Sequence, residues 1–145
     1  MAISDFEGIE AVAVPARRAP FIEAGNHVLQ IERLERIESR QKRGVRYWLG
    51  TFKVLESDVA KVGDERAWIL KLEDPALYLP AIKDFVGAVL ADPSAQITAA
   101  VVENLISPAQ PATGNVVKCK GTDRVSAKTG TPWTKLEWQA VEAPF

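Results

Sequence analysis

The 145-residue chain has one cysteine, one histidine and one methionine. A lone thiol cannot form an internal disulfide framework, and Cys119 with His27 cannot make a Cys/His zinc site. A single imidazole leaves little for Ser/His/Asp catalysis, and His27, at the start of an extended segment with no evident partner, reads as a surface or half-buried structural residue. Phosphate-binding signatures are missing too: there is no Gly-x-x-x-x-Gly-Lys-Ser/Thr and no dinucleotide fingerprint. Paired carboxylates have ordinary explanations, Glu73-Asp74 as a helix cap and Glu32, Glu35 and Glu38 as solvated partners of nearby arginines. The expectation is therefore a protein that is not an enzyme and uses no cofactor and no metal.

Long apolar runs are absent as well, none approaching the roughly 18 residues of a membrane span, so no membrane association is expected. The first residues, MAISDFEGIEAVAVPARRAP, carry acids where a secretory signal is basic. Cytoplasmic residence is the expectation. The length suits one domain, divided here as an arm over 1–24, a domain over 25–142 and a short tail over 143–145.

Charge is nearly balanced overall, at −1, but segregated along the chain. Arg17 to Leu72 carries twelve Lys/Arg against eight Asp/Glu, and Gly114 to Phe145 five against three, whereas Glu73 to Ser107 has one lysine against five acids. Two basic segments around an acidic one permit a local field that attracts a polyanion.

Hydrophobic patterning supplies the elements. GNHVLQIERLERIE and RYWLGTFKVLES flank the polar turn SRQKRG, in which Gly44 can take the positive φ of a tight turn. The second segment, rich in aromatic and β-branched residues, is a strand. In the first, Val28, Ile31, Leu34 and Ile37 recur every three residues, which fits either an amphipathic helix or a bulged, curved strand. ERAWILKL gives a third strand after the Gly63-Asp64 turn. Asp74 as N-cap and Pro75 in the first turn then start a helix carrying Tyr78, Ile82, Phe85, Val86 and Val89 at helical spacing. A second helical stretch, 94–106, ends before Pro108, and strands near 115–121 and 132–141 close the chain. Three strands, a helical insert and two strands form the element order of the oligonucleotide/oligosaccharide-binding (OB) fold, a mainly β, five-stranded barrel with one or two helices between strands 3 and 4.

On such a barrel the binding surface comprises strands 2 and 3 and the loops joining strands 1 to 2 and 4 to 5. Arg40, Lys42 and Arg43 fall in the first loop, and Arg124 and Lys128 in the other. Single-stranded nucleic acid needs cations along its phosphates and aromatic rings under its bases. Tyr47 and Lys53 share parity on strand 2, Trp68 and Lys71 lie on strand 3, and Trp133 with Lys135 opens strand 5. Trp138, on the parity of Leu136 and Ala140, is assigned to the core. Lys118 and Lys120 project to one face while Cys119 between them is buried.

The string Gly25-x-His27-x-Leu29-x-Ile31, Glu38-Ser39-Arg40, Gly44 and Phe52-x-Val54-Leu55 resembles the start of bacteriophage single-stranded DNA-binding proteins of this fold. Lys83-Asp84-Phe85-Val86 and Lys128-Thr129-Gly130-Thr131-Pro132-Trp133-Thr134-x-x-Glu137-Trp138 are similar to their helical insert and last hairpin. The resemblance spans about residues 25–142. It implies sequence-independent coating of single-stranded DNA in replication, recombination or repair. The partners it implies are single-stranded DNA, with a second copy of the chain and replication or recombination proteins as further candidates. The C-terminal residues Val141-Glu142-Ala143-Pro144-Phe145 lack the long acidic tail common in that class, which puts recruitment through the terminus in doubt. Two other readings stay open: a phage structural or assembly module whose insert docks a partner through Tyr78, Phe85 and Val89, and an RNA-binding version separable only at the 2′-hydroxyl.

Overall fold

The structure, a computed structural model, describes residues 19–39, 43–92 and 94–141. Arg40 and Lys42, most of the expected arm and the expected tail lie outside the described residues. The strands are β1 (Gly25–Glu38), β2 (Arg46–Ser57), β3 (Glu65–Lys71), β4 (Val116–Val125) and β5 (Pro132–Ala140), with helices α1 (Pro75–Leu90) and α2 (Ala99–Leu105) between β3 and β4. All strand pairings are antiparallel, in the single sheet order β3-β2-β1-β4-β5. The protein is mainly β. The expected barrel closure is not made, because β3 and β5 remain the two edges of the sheet.

The three-residue spacing in β1 has a bulged strand as its cause. Register shifts fall between Val28 and Leu29 and between Ile31 and Arg33, so the extra residue near Glu32 lets Ile31 and Leu34 face the same side. Leu29, Ile31 and Leu34 are fully buried there. Beyond the bulge β4 no longer accompanies β1, and Gln110 takes its place: the Leu34 N–H donates to Gln110 Oε1 (2.8 Å) and Gln110 Nε2 donates to the Leu34 carbonyl (2.6 Å). At the far end of β1, Gly44 closes the hairpin at φ +86°, and its N–H donates to Glu38 Oε1.

The concave face of the sheet holds the core, and an aromatic cluster dominates it. Phe85 of α1 packs against Trp48 and Phe52 of β2, Trp68 of β3 and Trp138 of β5, with ring centroids 4.8 to 6.1 Å apart. Such edge-on and tilted contacts suit the ring quadrupoles. The curl of the sheet brings Trp68 and Trp138, from opposite edge strands, to 4.8 Å. Two expectations change here. Trp68 is 6% exposed and its faces are taken by other rings, so it belongs to the core and not to the outer face. Phe85 is likewise buried, so it cannot present a docking surface. Asp74 does cap α1, its carboxylate accepting the Ala76 N–H at 3.1 Å.

Each sheet edge is engaged at one point. Along β3, the Ile22 N–H donates to the Ala67 carbonyl and the Ala67 N–H to the Pro20 carbonyl, and Phe21 bridges Ala67. Along β5, the Trp138 N–H donates to Asp84 Oδ2 of α1 at 2.9 Å. Residues 20–22 are thus tied to the β3 edge at Ala67, with Ile22 in the core. Two buried polar residues hold this corner. Arg66 forks onto Glu23 (Nε–Oε1 2.8 Å, Nη2–Oε2 3.2 Å), and these bonds hold the Glu23 carboxyl below its ordinary value. His27 is fully buried rather than superficial, and it has partners. The Glu23 carbonyl can only accept, so His27 Nε2 carries the hydrogen; Ser57 Oγ, already accepting from the Val59 and Ala60 amides, gives its own hydrogen to Nδ1. That satisfied network makes His27 structural. No described helix is long and apolar enough to cross a membrane.

Candidate nucleic-acid interface

Strand alternation places side chains on the convex, outer face of the sheet in cross-strand rows. On the β4–β5 hairpin these rows are Lys118 opposite Gln139, Lys120 opposite Glu137, Thr122 opposite Lys135 and Arg124 opposite Trp133. The alternate positions, Val117, Cys119 and Trp138, are buried on the concave side. Burial also pushes the Cys119 thiol far above its ordinary pKa, which keeps it an uncharged core group. The hairpin face therefore carries four cations against Glu137, with Lys128 exposed in the connecting turn.

Tryptophan placement sharpens the picture. Trp48, Trp68 and Trp138 are buried at 1%, 6% and 4% exposure, whereas Trp133 is 51% exposed. Pro132 and the turn before it hold Trp133 at the start of β5, beyond the end of the aromatic cluster. Its cross-strand partner is Arg124, and Lys135 is two residues along the same face.

The second expected group, on β2 and β3, is less basic. Tyr47 is half-buried on the outer face opposite Lys71, and Lys53 is exposed opposite Glu65. Lys71 Nζ lies 3.2 Å from a Glu73 carboxylate oxygen. The two lysines are thus matched by two acids, and Leu49, between Tyr47 and Thr51 on the same face, is buried. The turns are placed by register as well. The β1–β2 turn with Arg43 lies beyond the C-terminal end of β1, while β4 passes the N-terminal end of β1 at Gly121 and continues to the β4–β5 turn. They bracket the outer face from opposite ends of β1. Thr122 and Gln139 join the hairpin face only through the β4–β5 register; neither residue type announces a contact in the sequence.

Among the described residues, no three His, Cys, Asp or Glu side chains gather as a metal-binding group. No protein-family model matches the chain, and no curated protein matches its sequence.

Proposed function

We propose that this protein is a non-enzymatic, sequence-independent single-stranded DNA-binding protein that binds through the outer face of the β4–β5 hairpin. The observation that carries the reading is the exposed indole of Trp133 in register with Arg124 and two residues from Lys135. An exposed aromatic ring stacks any base, and flanking cations follow the phosphates without reading sequence. Tyr47, Lys53 and Lys71 form a secondary contact zone. The fold behind this reading is an OB-type barrel opened between β3 and β5. Its support is the element order, the curl that brings the edge strands together at Trp68 and Trp138, and the helical insert that plugs the concave face. The likeness to phage single-stranded DNA-binding proteins supports a role in DNA replication, recombination or repair.

The test is titration of intrinsic fluorescence with a thymine oligonucleotide, a matched duplex and a matched RNA at low and high salt. Single-strand binding that quenches the exposed indole, weakens with salt and resists duplex competition is expected. Salt-insensitive self-association without oligonucleotide binding would instead favour an assembly module, and preference for the RNA would move the ligand across the 2′-hydroxyl.

A further inference from the structure

Beyond Gly121 the β4–β5 hairpin leaves the rest of the sheet. The β1–β4 ladder ends with Gly25 opposite Gly121, and Thr122 to Val125 pair with β5 alone. Asp123, Arg124, Val125, Pro132, Trp133 and Lys135 are exposed, so the distal ribbon meets solvent on both faces. A two-stranded ribbon is marginal by itself. Its tip is pinned, however: the Ser126 N–H donates to the Thr131 carbonyl (2.9 Å), the Gly130 N–H to the Ser126 carbonyl (2.8 Å) with Gly130 at φ +69°, and Thr129 Oγ1 to Thr131 Oγ1 (2.9 Å).

The two faces of this ribbon differ. Arg124 and Trp133 share a row on the outer face, with Lys135 beside them and Lys128 in the turn. On the inner face the last row before the turn is Val125 opposite Pro132, with Val125 67% exposed, and the row before it is Asp123 opposite Thr134. These four inner positions hold one acid and no cation, so the inner face repels the phosphate chain that the outer face attracts. A single strand lying on the outer face would leave the apolar end row uncovered. What suits that row is the flat apolar face of a base pair, against which proline and aliphatic side chains serve as wedges. The last pair of a duplex already has one face free, so seating on it requires no unstacking.

We propose that the end of the ribbon seats at the junction between a single strand and a duplex: the strand's phosphates along Lys135 and Arg124, a base on Trp133, the terminal base pair against Val125 and Pro132, and Lys128 beside the duplex backbone. The inference rests on the single-strand reading above and names the form of DNA that this face takes. Because Asp123 repels a second phosphate chain, the complementary strand ends at the junction. The ligand is therefore a tailed duplex and not a fork with two tails.

Fluorescence anisotropy of the full-length protein compares an oligothymidine, a blunt duplex, that duplex carrying the oligothymidine as a 3′ or a 5′ tail, and a fork carrying both tails. One of the tailed duplexes should bind about fivefold or more tighter than the oligothymidine, the gain of one added stacking contact, and the fork no tighter than that duplex. The advantage should persist at high salt, because it is apolar and not a matter of extra phosphates. Val125→Ser, at an exposed position outside the single-strand contacts, should keep oligothymidine affinity within about twofold and remove most of the tail advantage. If that variant does not fold, the comparison of ligands on the native protein decides. Equal affinity for the tailed duplexes and the oligothymidine, or a tail advantage intact in Val125→Ser, would overturn the inference and leave the single-strand reading standing. No binding of any of these ligands would overturn both. Sedimentation covers the remaining occupant: self-association that Val125→Ser abolishes would assign the apolar row to a second copy of the chain and overturn the junction.

Discussion

Replacing Trp133 with alanine tests the proposed interface most directly. The residue is 51% exposed and sits at the beginning of β5, outside the cluster of Trp48, Phe52, Trp68, Phe85 and Trp138, so its removal should change stability by less than about 1 kcal/mol. Stacking of one base on an exposed ring contributes about 1 to 3 kcal/mol, which converts to a loss of about fivefold to about 150-fold in affinity. The loss should be the same for thymine, cytosine and adenine oligonucleotides, because every base offers a π-face. Salt dependence separates the ring from its cationic neighbours. For a single strand each neutralised phosphate contributes a slope of about −0.7 in log affinity against log salt, so Lys120, Arg124 and Lys135 together contribute about −2. Trp133→Ala should leave that slope unchanged, whereas Lys135→Gln should reduce its magnitude by about 0.7 while costing less affinity at high salt. The assay is fluorescence anisotropy of an end-labelled oligonucleotide at several salt concentrations, since the variant removes the intrinsic reporter. Affinity within twofold of the native protein, in a variant that melts normally, would refute the assignment of Trp133 to the interface.

Three further predictions concern the fold that carries this face. Phe85→Ala removes the ring that touches four others across β2, β3 and β5, and urea unfolding followed by fluorescence should show a loss of about 3 to 5 kcal/mol, a large share of the stability of a domain this size. In Gly121→Ala the new Cβ would stand 2.4 Å from the Glu23 carbonyl oxygen, a backbone atom; displacement of residue 23 should cost about 1 to 3 kcal/mol and make the chain before Gly25 more susceptible to protease. The Glu23 carboxyl is held below its ordinary value by Arg66, so the unfolded chain takes up a proton before the native one does. Its contribution is present above the ordinary carboxylate range and is lost as pH falls through the depressed native value. The stability gap between the native protein and Glu23→Gln should accordingly narrow on acidification, and a gap that widened would reverse the sign of the argument.

Most of the elements were legible because their causes are local. Asp74-Pro75 starts a helix by capping and fixed φ, and Gly44 marks the hairpin turn. Alternation around Cys119 buries the thiol and turns Lys118 and Lys120 to the other face. Even β1 was half legible, since a spacing of three is what a bulge makes of an alternating strand. The errors arose where the answer depended on contacts across the sequence. Trp68 and Lys71 are of opposite parity and cannot share a face; the β2–β3 register, opposing Trp68 to Gly50 and Lys71 to Tyr47, is what shows that Trp68 is the one turned inward. His27 looked partnerless because its partners are a backbone carbonyl at residue 23 and a hydroxyl thirty positions away. The open edges were equally hidden. Asp84 reads as an exposed helix carboxylate until β5 is known to offer it the Trp138 amide.

The open edges bear on where a strand of DNA would run. In a closed barrel β3 would lie beside β5, and the β2–β3 surface would adjoin the β4–β5 hairpin. Here residues 20–22 bond the β3 edge at Ala67, and Asp84 of α1 takes the Trp138 amide on the β5 edge. The two surfaces instead lie on either side of β1, whose outer residues between Lys118 and Lys53 are Val28 and Gln30, both uncharged. A phosphate chain crossing the sheet would leave the hairpin cations, pass over this neutral row and arrive where Glu65 and Glu73 offset Lys53 and Lys71. A chain following the hairpin would meet Lys120, Arg124 and Lys135 with one opposing carboxylate, Glu137, and would pass Trp133 on the way to Lys128 in the turn. Coulomb attraction over a few ångströms favours the second course, so neutralising Lys53 and Lys71 should change affinity less than neutralising Arg124 and Lys135. Measured salt slopes for those two double variants would decide between the courses, and a larger drop for the β2–β3 pair would place the strand across the sheet.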